Sequence, residues 1–369
     1  MNITKTKLGV LAVLSALGGQ AVASPDTIDC QSNSEGLASA LASGPSFYES
    51  QLNYYLSDPF YVAEGSACFN GSVTISDNDV RAAILPLANT LSNVASNRLL
   101  PNAGPQTQAL VGTEGMAAGG VAGRWNLWAN TTDNDSRYSH TSNSGIVRTT
   151  ADTDTYVVGG DIALMPNLIL GVSGSFDRTH GKADSAGNRL RSDGYMVAAY
   201  LGLQLSEKLA LDVAIGSGDA DRKTGAQTKN DIDRDFYAAN LTYAHWHGAF
   251  QVTGKASWLH GKEDVGDNVF AGTKLPGTGG TTKLNQGKLG AEVGYWIDGF
   301  MPYVGVAYAR DTSRTKTVEP WDKTALVWSA GVNFFSLKNK ITGGIGYQGE
   351  SNRSHTENDT WTANISMAF

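Results

Sequence analysis

The sequence predicts an all-β membrane protein: a 12-stranded antiparallel outer-membrane β-barrel, preceded by an α-helix and a small N-terminal segment. Three observations lead there. From about Gly119 to Phe369 apolar and polar residues alternate with period two, the alternating segments number twelve, and tight turns alternate with long polar stretches between them. Mean hydropathy is only −0.22, and no apolar run after the N-terminus reaches the roughly 18 residues of a spanning helix. A hydropathy scan alone would therefore read a water-soluble chain.

The charge balance excludes other classes. Lys and Arg number 28 against 35 Asp and Glu, a net charge of −7, which argues against a nucleic-acid partner that would call for a basic surface over phosphates. Two cysteines among 369 residues are too few for a disulfide-dense scaffold or a Cys-rich zinc module. Nothing in the sequence calls for a cofactor.

Taken in order, the first 23 residues read as a secretory signal. Lys5 and Lys7 form a positive start, Leu8 to Leu17 an apolar core, and Ala21-Val22-Ala23 a small-residue cleavage site. No cysteine follows directly, so no lipid anchor is expected. Export to an oxidising compartment lets Cys30 pair with Cys68, closing a loop that stabilises the segment by about 4 kcal/mol in the chain-entropy model; two free thiols are the alternative. Residues 24–75 are polar, show no sustained period and form a short cap segment.

A helix is predicted over Ser76–Leu100, within a helix-and-linker region of residues 76–118. Val80, Ile84, Leu87, Leu91 and Val94 recur at helical spacing, with Asn89, Asn93, Ser96 and Asn97 off that stripe. Ser76 or Asp77 suits the cap, Asp79 the first turn, and Pro86 a kink or the start of a second piece.

The barrel is predicted over residues 119–369. Its strands centre near Leu127, Val158, Val172, Ala198, Val213, Leu241, Val252, Ala291, Val306, Ala330, Ile345 and Ile365. Pro166-Asn167, Ser206-Glu207-Lys208, His247-Gly248, Asp298-Gly299 and Leu337-Lys338-Asn339 carry hairpin-turn chemistry. Thr131–Asp154, Ala220–Asp231 and Gly261–Thr282 read as long loops. An even strand count puts both barrel ends on the short-turn, periplasmic side.

A water-soluble sandwich also gives period two, so the barrel rests on further features. About 21 residues per strand and connection suit spanning strands of about ten residues. Gly171, Gly202, Gly216, Gly290, Gly305 and Gly346 fall on the polar face, where a lumen is crowded. Aromatics such as Trp125, Phe176, Tyr195, Trp246, Trp258, Tyr295, Trp328 and Tyr347 stand at apolar strand ends and suit interfacial girdles. Closure also removes exposed sheet edges. The same alternation puts Arg124, Asp161, Asp177, Asp212, Lys255, Lys288 and Glu292 on the lumen side, a mixed-sign pore lining able to conduct ions, to pair with a plugging helix, or simply to pair across the wall.

The C-terminal part resembles the translocator domain of the autotransporter (type V secretion) family. The residues that carry the resemblance are Gly159-Gly160-Asp161, Pro166 to Gly174, Ser192-Asp193-Gly194-Tyr195 and Ala199-Tyr200-Leu201-Gly202, together with the terminal strand ending at Phe369. The resemblance covers residues 110–369. It implies a 12-stranded barrel, a helix threaded through the lumen, an upstream passenger, and a terminal aromatic, Phe369, read as an insertion signal by the outer-membrane barrel-assembly machinery. The helix of 76–100 stands where such a pore helix belongs, although periodicity alone suits a surface helix equally. Family passengers usually run to several hundred residues. Only residues 24–75 precede the helix here, and a closed Cys30–Cys68 loop threads poorly through a narrow pore.

Other motifs are weaker. His140-Thr141-Ser142-Asn143 resembles the His-x-Ser-Asn core of outer-membrane phospholipase A, but the following glycine is displaced to Gly145 and no partner motif is found. His245 and His247 flank Trp246 at a turn and read as interfacial. Asp219, Asp221, Asp231, Asp233 and Asp235 lack calcium-loop spacing, and Gly277–Lys283 does not match a phosphate loop. The expected protein is therefore not an enzyme. It is a barrel, expected to be monomeric among outer-membrane lipid, that translocates, displays or is plugged by its own N-terminal segment. The alternative is a channel or surface-structural barrel with a periplasmic N-terminal segment, and an outer-membrane lipase comes third.

Overall fold

The computed structural model describes residues 73–100, 124–142, 145–183, 189–224, 228–270, 273–274, 276–314, 322–336 and 339–369. The expected signal sequence, Cys30, Cys68 and the expected linker after the helix lie outside the described residues.

Twelve long strands form the wall: β1 (Trp125–Ser142), β2 (Gly145–Met165), β3 (Leu168–Ala183), β4 (Arg189–Ser206), β5 (Leu209–Thr224), β6 (Thr228–His247), β7 (Phe250–Val265), β10 (Gly280–Tyr295), β11 (Phe300–Arg314), β12 (Thr324–Ser336), β13 (Ile341–Ser351) and β14 (Thr356–Ala368). Two-residue strands β8 (Val269–Phe270) and β9 (Thr273–Lys274) make a small hairpin on the end of β6. Each of the twelve expected strand centres falls in its own long strand. Neighbours pair antiparallel around the wall, and β1 closes on β14 from Asn126↔Ala368 to Tyr138↔Thr356. The seam ends with the Phe369 N–H donating to the Trp125 carbonyl at 2.8 Å.

The wall is inside out relative to a soluble protein. Val172 is 64% exposed and Leu289 67%, while Asp161 and Asp177 are 3% and 1% exposed. Apolar residues that face out at every second position are what lipid requires, and closure satisfies every ladder bond without water. Phe176, Tyr195, Trp258, Tyr308 and Trp361 stand on the outer face towards the long-hairpin end, and Trp125, Tyr295 and Phe300 towards the tight-turn end. Trp246 departs from the girdle expectation. It is buried on the inner side of β6 and meets Trp296 edge-on, with ring centroids 6.2 Å apart.

Four of the five tight turns fall where expected, with Asp298, Gly299 and Gly248 at positive φ; Leu337 and Lys338 of the fifth lie outside the described residues. The expected long loops do not. Most of Thr131–Asp154 is strand, β1 and β2 continuing to Ser142 and from Gly145; Ala220–Asp231 holds the ends of β5 and β6; Gly261–Thr282 holds the end of β7, the small hairpin and the start of β10. Strands reach 21 residues in β2, against about ten needed to cross a bilayer. The reason is physical: above the membrane both faces of a strand are wet, so hydropathy stops alternating while backbone pairing goes on.

Helix α1 (Val73–Leu99) is one unbroken helix of 27 residues with Pro86 inside it. It starts three residues before Ser76, so Ser76 and Asp77 lie within it rather than capping it. At about 1.5 Å per residue it is about 40 Å long, enough to traverse the wall.

The protruding β1–β2 hairpin places Asp133 opposite Asp154 and Asp135 opposite Asp152, above the girdle tyrosine Tyr156. A hydrogen bond to the Asp135 carboxyl, aided by burial, pushes Asp152 up to about 6. An acid whose folded-state value is raised holds its proton in the paired hairpin at pH 5, where an opened strand would leave it ionised. Acidification from pH 7 to pH 5 should therefore tighten this hairpin. Amide exchange at residues 133–137 and 150–154, corrected for intrinsic rates, should slow across that window, and Asp135→Asn should weaken the pH dependence most strongly around Asp152.

Candidate functional site

The lumen is not uniformly polar, and this decides where the helix sits. Alternation turns small and apolar residues of β2–β6 inward: Val157, Ile169, Met196, Ala198, Ala210, Ala214, Phe236 and Ala238 are buried there. Against this patch α1 lays Ile84, Leu87, Ala88, Leu91, Ala95 and Leu99, of which Ile84 and Leu87 are wholly buried. Two inward glycines make the seat. A Cβ at Gly171 would strike the Tyr200 ring, and one at Gly202 would come within 2.8 Å of Leu99 and 2.9 Å of Ile169. The helix packs mainly on β1–β7 and β10 and reaches β11 and β13 through Arg81.

Three sets of polar contacts fix the helix along its length. Near the tight-turn end Arg98 donates to Asp161 at 3.0 Å, and Asp161 also accepts from Asn126 at 2.8 Å and from the Tyr200 hydroxyl at 2.9 Å. The Trp128 indole in turn donates to the Tyr200 oxygen at 2.9 Å. Ser366 on β14 donates to Asn126 at 2.6 Å, so this network also spans the closing seam. In the middle, the Ser92 hydroxyl donates to Asp212 at 3.1 Å, beside Asn240 at 2.7 Å. Lys255 reaches Asn93 at 3.0 Å and Lys288 reaches Asn89 at 3.3 Å. At the long-hairpin end Arg81 pairs with Asp311 on β11 and stands 3.9 Å from Glu350 on β13. Gln286 and Arg353 complete that cluster at 2.9 and 3.8 Å from Asp311.

A fourth cluster belongs to the wall alone. Arg234 on β6 donates to both oxygens of Asp177 on β3 at 2.9 Å, and to Glu263 on β7 at 2.8 Å. Arg222 on β5 stands 4.0 Å from Glu263. All four are buried; such charges persist in a low dielectric only when mutually paired.

Of the seven residues assigned to the lining, Asp161, Asp212, Lys255 and Lys288 contact the helix. Asp177 pairs within the wall, and Glu292 lines the space left beside the helix. Arg124 is exposed just before β1, where its carbonyl accepts from the Ala163 N–H. Sequence reading missed Arg81, Arg98, Arg222, Arg234, Glu263, Asp311, Glu350 and Arg353. The signal for Arg234 and Glu263 was present: each keeps the inward parity of its strand, but both belong to the segments read as loop or its edge.

The helix does not fill the lumen. A crescent void of about 370 Å³ remains, bounded by Asn89, Asn93 and Asn97 of the helix and by wall residues such as Lys288, Tyr303, Asn333, Thr362 and Asn364. The asparagine stripe thus faces water and the apolar stripe faces the wall. His140–Ser142 form the end of β1, backbone-paired with Val147–Gly145, rather than a loop; Asn143 lies outside the described residues. Among the described residues no group of three or more metal-ligating side chains comes together.

The architecture matches known translocators. The translocator domain of the autotransporter NalP from Neisseria meningitidis aligns with 13% identity over 80% of this chain and 99% of its own, at a TM-score of 0.59. The transport unit of the autotransporter AIDA-I from Escherichia coli aligns with 15% identity, 66% of this chain and 90% of its own, TM-score 0.52. The β-domain of the Bordetella autotransporter BrkA aligns with 13% identity, 67% and 100% coverage, TM-score 0.51. Among curated proteins, none matches the sequence. Residues 127–348, well over half of the chain, match the model of the autotransporter β-domain, and the chain therefore belongs to the autotransporter β-domain family, whose barrels reside in the outer membrane of Gram-negative bacteria.

Proposed function

We propose that this barrel delivers its own short N-terminal segment to the cell surface and then keeps α1 as the plug. The observation that carries the reading is the polarity of the helix. Its C-terminal Arg98 is held at Asp161, near the periplasmic turns, and its N-terminal half reaches Asp311 and Glu350, near the long hairpins. The N-terminus of α1 at Val73 therefore lies towards the outer mouth. The helix acts as a tether: an apolar stripe docked on one wall and ion pairs at both ends resist both retreat and escape.

Several expectations belong to this proposal: signal cleavage after Ala23, a Cys30–Cys68 disulfide in residues 24–75, a monomer in outer-membrane lipid, and assembly by the barrel machinery through Phe369. The lumen is proposed as a passage rather than an active site, in keeping with a family of barrels that are generally not catalytic.

The crescent void favours a second reading, a small leak for ions past the seated helix. Its lining mixes neutral amides with Lys288 and Glu292, a poor filter but a wettable one.

An epitope placed near Cys30 should be removed by protease added to intact cells, while the heat-modifiable gel shift of the barrel is retained. Protection of that epitope, with cleavage only in the long hairpins, would favour the channel reading. Deleting residues 24–100 should raise single-channel conductance in planar bilayers several-fold. Leu87→Ala with Leu91→Ala, each costing about 2–5 kcal/mol of packing, should move conductance towards the deleted level; an unchanged value would deny that the helix is the plug.

A further inference from the structure

We propose that the outer face of β3 and β4, just above the membrane, is a binding surface for the phosphate groups of outer-leaflet lipid. The register builds it. Outward residues of the two strands pair as Arg178↔Asp193, His180↔Arg191 and Lys182↔Arg189, stacked directly above the girdle pair Phe176↔Tyr195. Four permanent positive charges and a histidine thus share a two-strand grid with one carboxylate.

Height selects the partner. At about 3.4 Å per residue and a tilt near 40°, Arg178 rises about 5 Å above Phe176, and Arg191 about 10 Å above Tyr195. Headgroups occupy about 5–7 Å beyond the hydrocarbon on each side, so the lowest rung sits within them, while the upper two rungs, about 10 and 16 Å above the girdle, stand beyond them and reach back by the length of their side chains. Geometry on the grid agrees. The Arg178 guanidinium lies 5.7 Å from the centroid of the Phe176 ring, a cation anchored on an aromatic at the lipid boundary. Arg178 and Arg191 each donate to Asp193 at 2.8 Å, yet their side chains stay 45% and 52% exposed. Asp193 thus pre-orients two guanidiniums and leaves donors for a phosphate, whose oxygens arginine's planar fork grips in pairs.

The surroundings sharpen the selection. On the same outward face Asp154 of β2 and Asp221 of β5 flank the lowest rung, Asp152 of β2 and Lys223 of β5 flank the middle one, and Asp219 stands beside Tyr195. In a chain of net charge −7 the upper rungs together with Lys223 are a positive island above a carboxylate row, which repels a phosphorylated lipid lower on the wall and directs it to the cationic rungs.

The test uses the full folded chain in neutral detergent with purified bisphosphorylated lipopolysaccharide as the probe, binding being read by native mass spectrometry. Wild type should retain the lipid. Lys182→Glu with Arg189→Glu and Arg191→Glu should lower occupancy at least tenfold, while the same three positions exchanged between Lys and Arg should keep it. Enzymatic removal of the lipid phosphates should lower wild-type occupancy equally. Heat-modifiable migration establishes that each variant is folded. Equal occupancy of wild type and the charge-reversed barrel, or of intact and dephosphorylated lipid, overturns the proposal. Complete displacement of lipid by millimolar inorganic phosphate also overturns it, since the grid would then be a free-anion site.

Discussion

Lipid offers no hydrogen bonds, and that one constraint organises this molecule. An unpaired N–H or carbonyl costs several kcal/mol in hydrocarbon, so the sheet has to close, and β1 must find β14 across more than 200 residues of chain. Closure then dictates the rest. Twelve strands enclose a lumen wide enough for a helix, the outer face becomes apolar, and whatever the lumen contains must be satisfied from within. The terminal pairing of Trp125 with Phe369 and the Ser366–Asn126 bond show the seam reinforced by backbone and side chain together.

Inside, two kinds of attraction divide the labour. The apolar stripe of α1 supplies non-directional adhesion against the β2–β6 wall, and the ion pairs set register and direction. Charge pairs buried this deeply contribute little net stability against their desolvation, but a broken one is costly. Arg98–Asp161 and Arg81–Asp311 therefore act less as glue than as alignment marks: the helix slid by one turn, about 5.4 Å, would leave buried charges unmatched at both ends. The half-empty crescent beside it follows from this one-sided adhesion, since the β12–β14 wall offers Asn333, Thr362 and Asn364 rather than an apolar seat.

Strand number, strand centres, periplasmic turns and facing were legible because membrane crossing enforces strict alternation: Leu209, Val213 and Ile215 against Ala210, Asp212 and Gly216 could be read directly. What escaped was whatever the bilayer does not police. Above the girdle, Asp219, Asp221, Arg222 and Arg234 alternate in facing but not in polarity, so strand was read as loop, and the Arg234–Asp177–Glu263 cluster went unseen. Trp246 was misplaced by residue type although its parity pointed inward. The helix start is expected at Ser76 because Ser76 or Asp77 suits a cap, whereas α1 continues three residues further, through the β-branched Val73, Thr74 and Ile75 that propensity disfavours. The asparagine stripe was correctly polar, yet the deciding feature was the apolar inner patch, which only the three-dimensional neighbourhood of Ile169, Met196, Tyr200 and Phe236 reveals.

The wall is also uneven in height. β1–β7 run to 16–21 residues, whereas β12–β14 among the described strands have 13, 11 and 13. Seen from outside the cell, the rim is a palisade with a low gate. Under the proposed display, a peptide leaving beside the helix N-terminus has the taller strands β1–β7 along one flank and the shorter β12–β14 along the other, so its exposure is directional rather than radial.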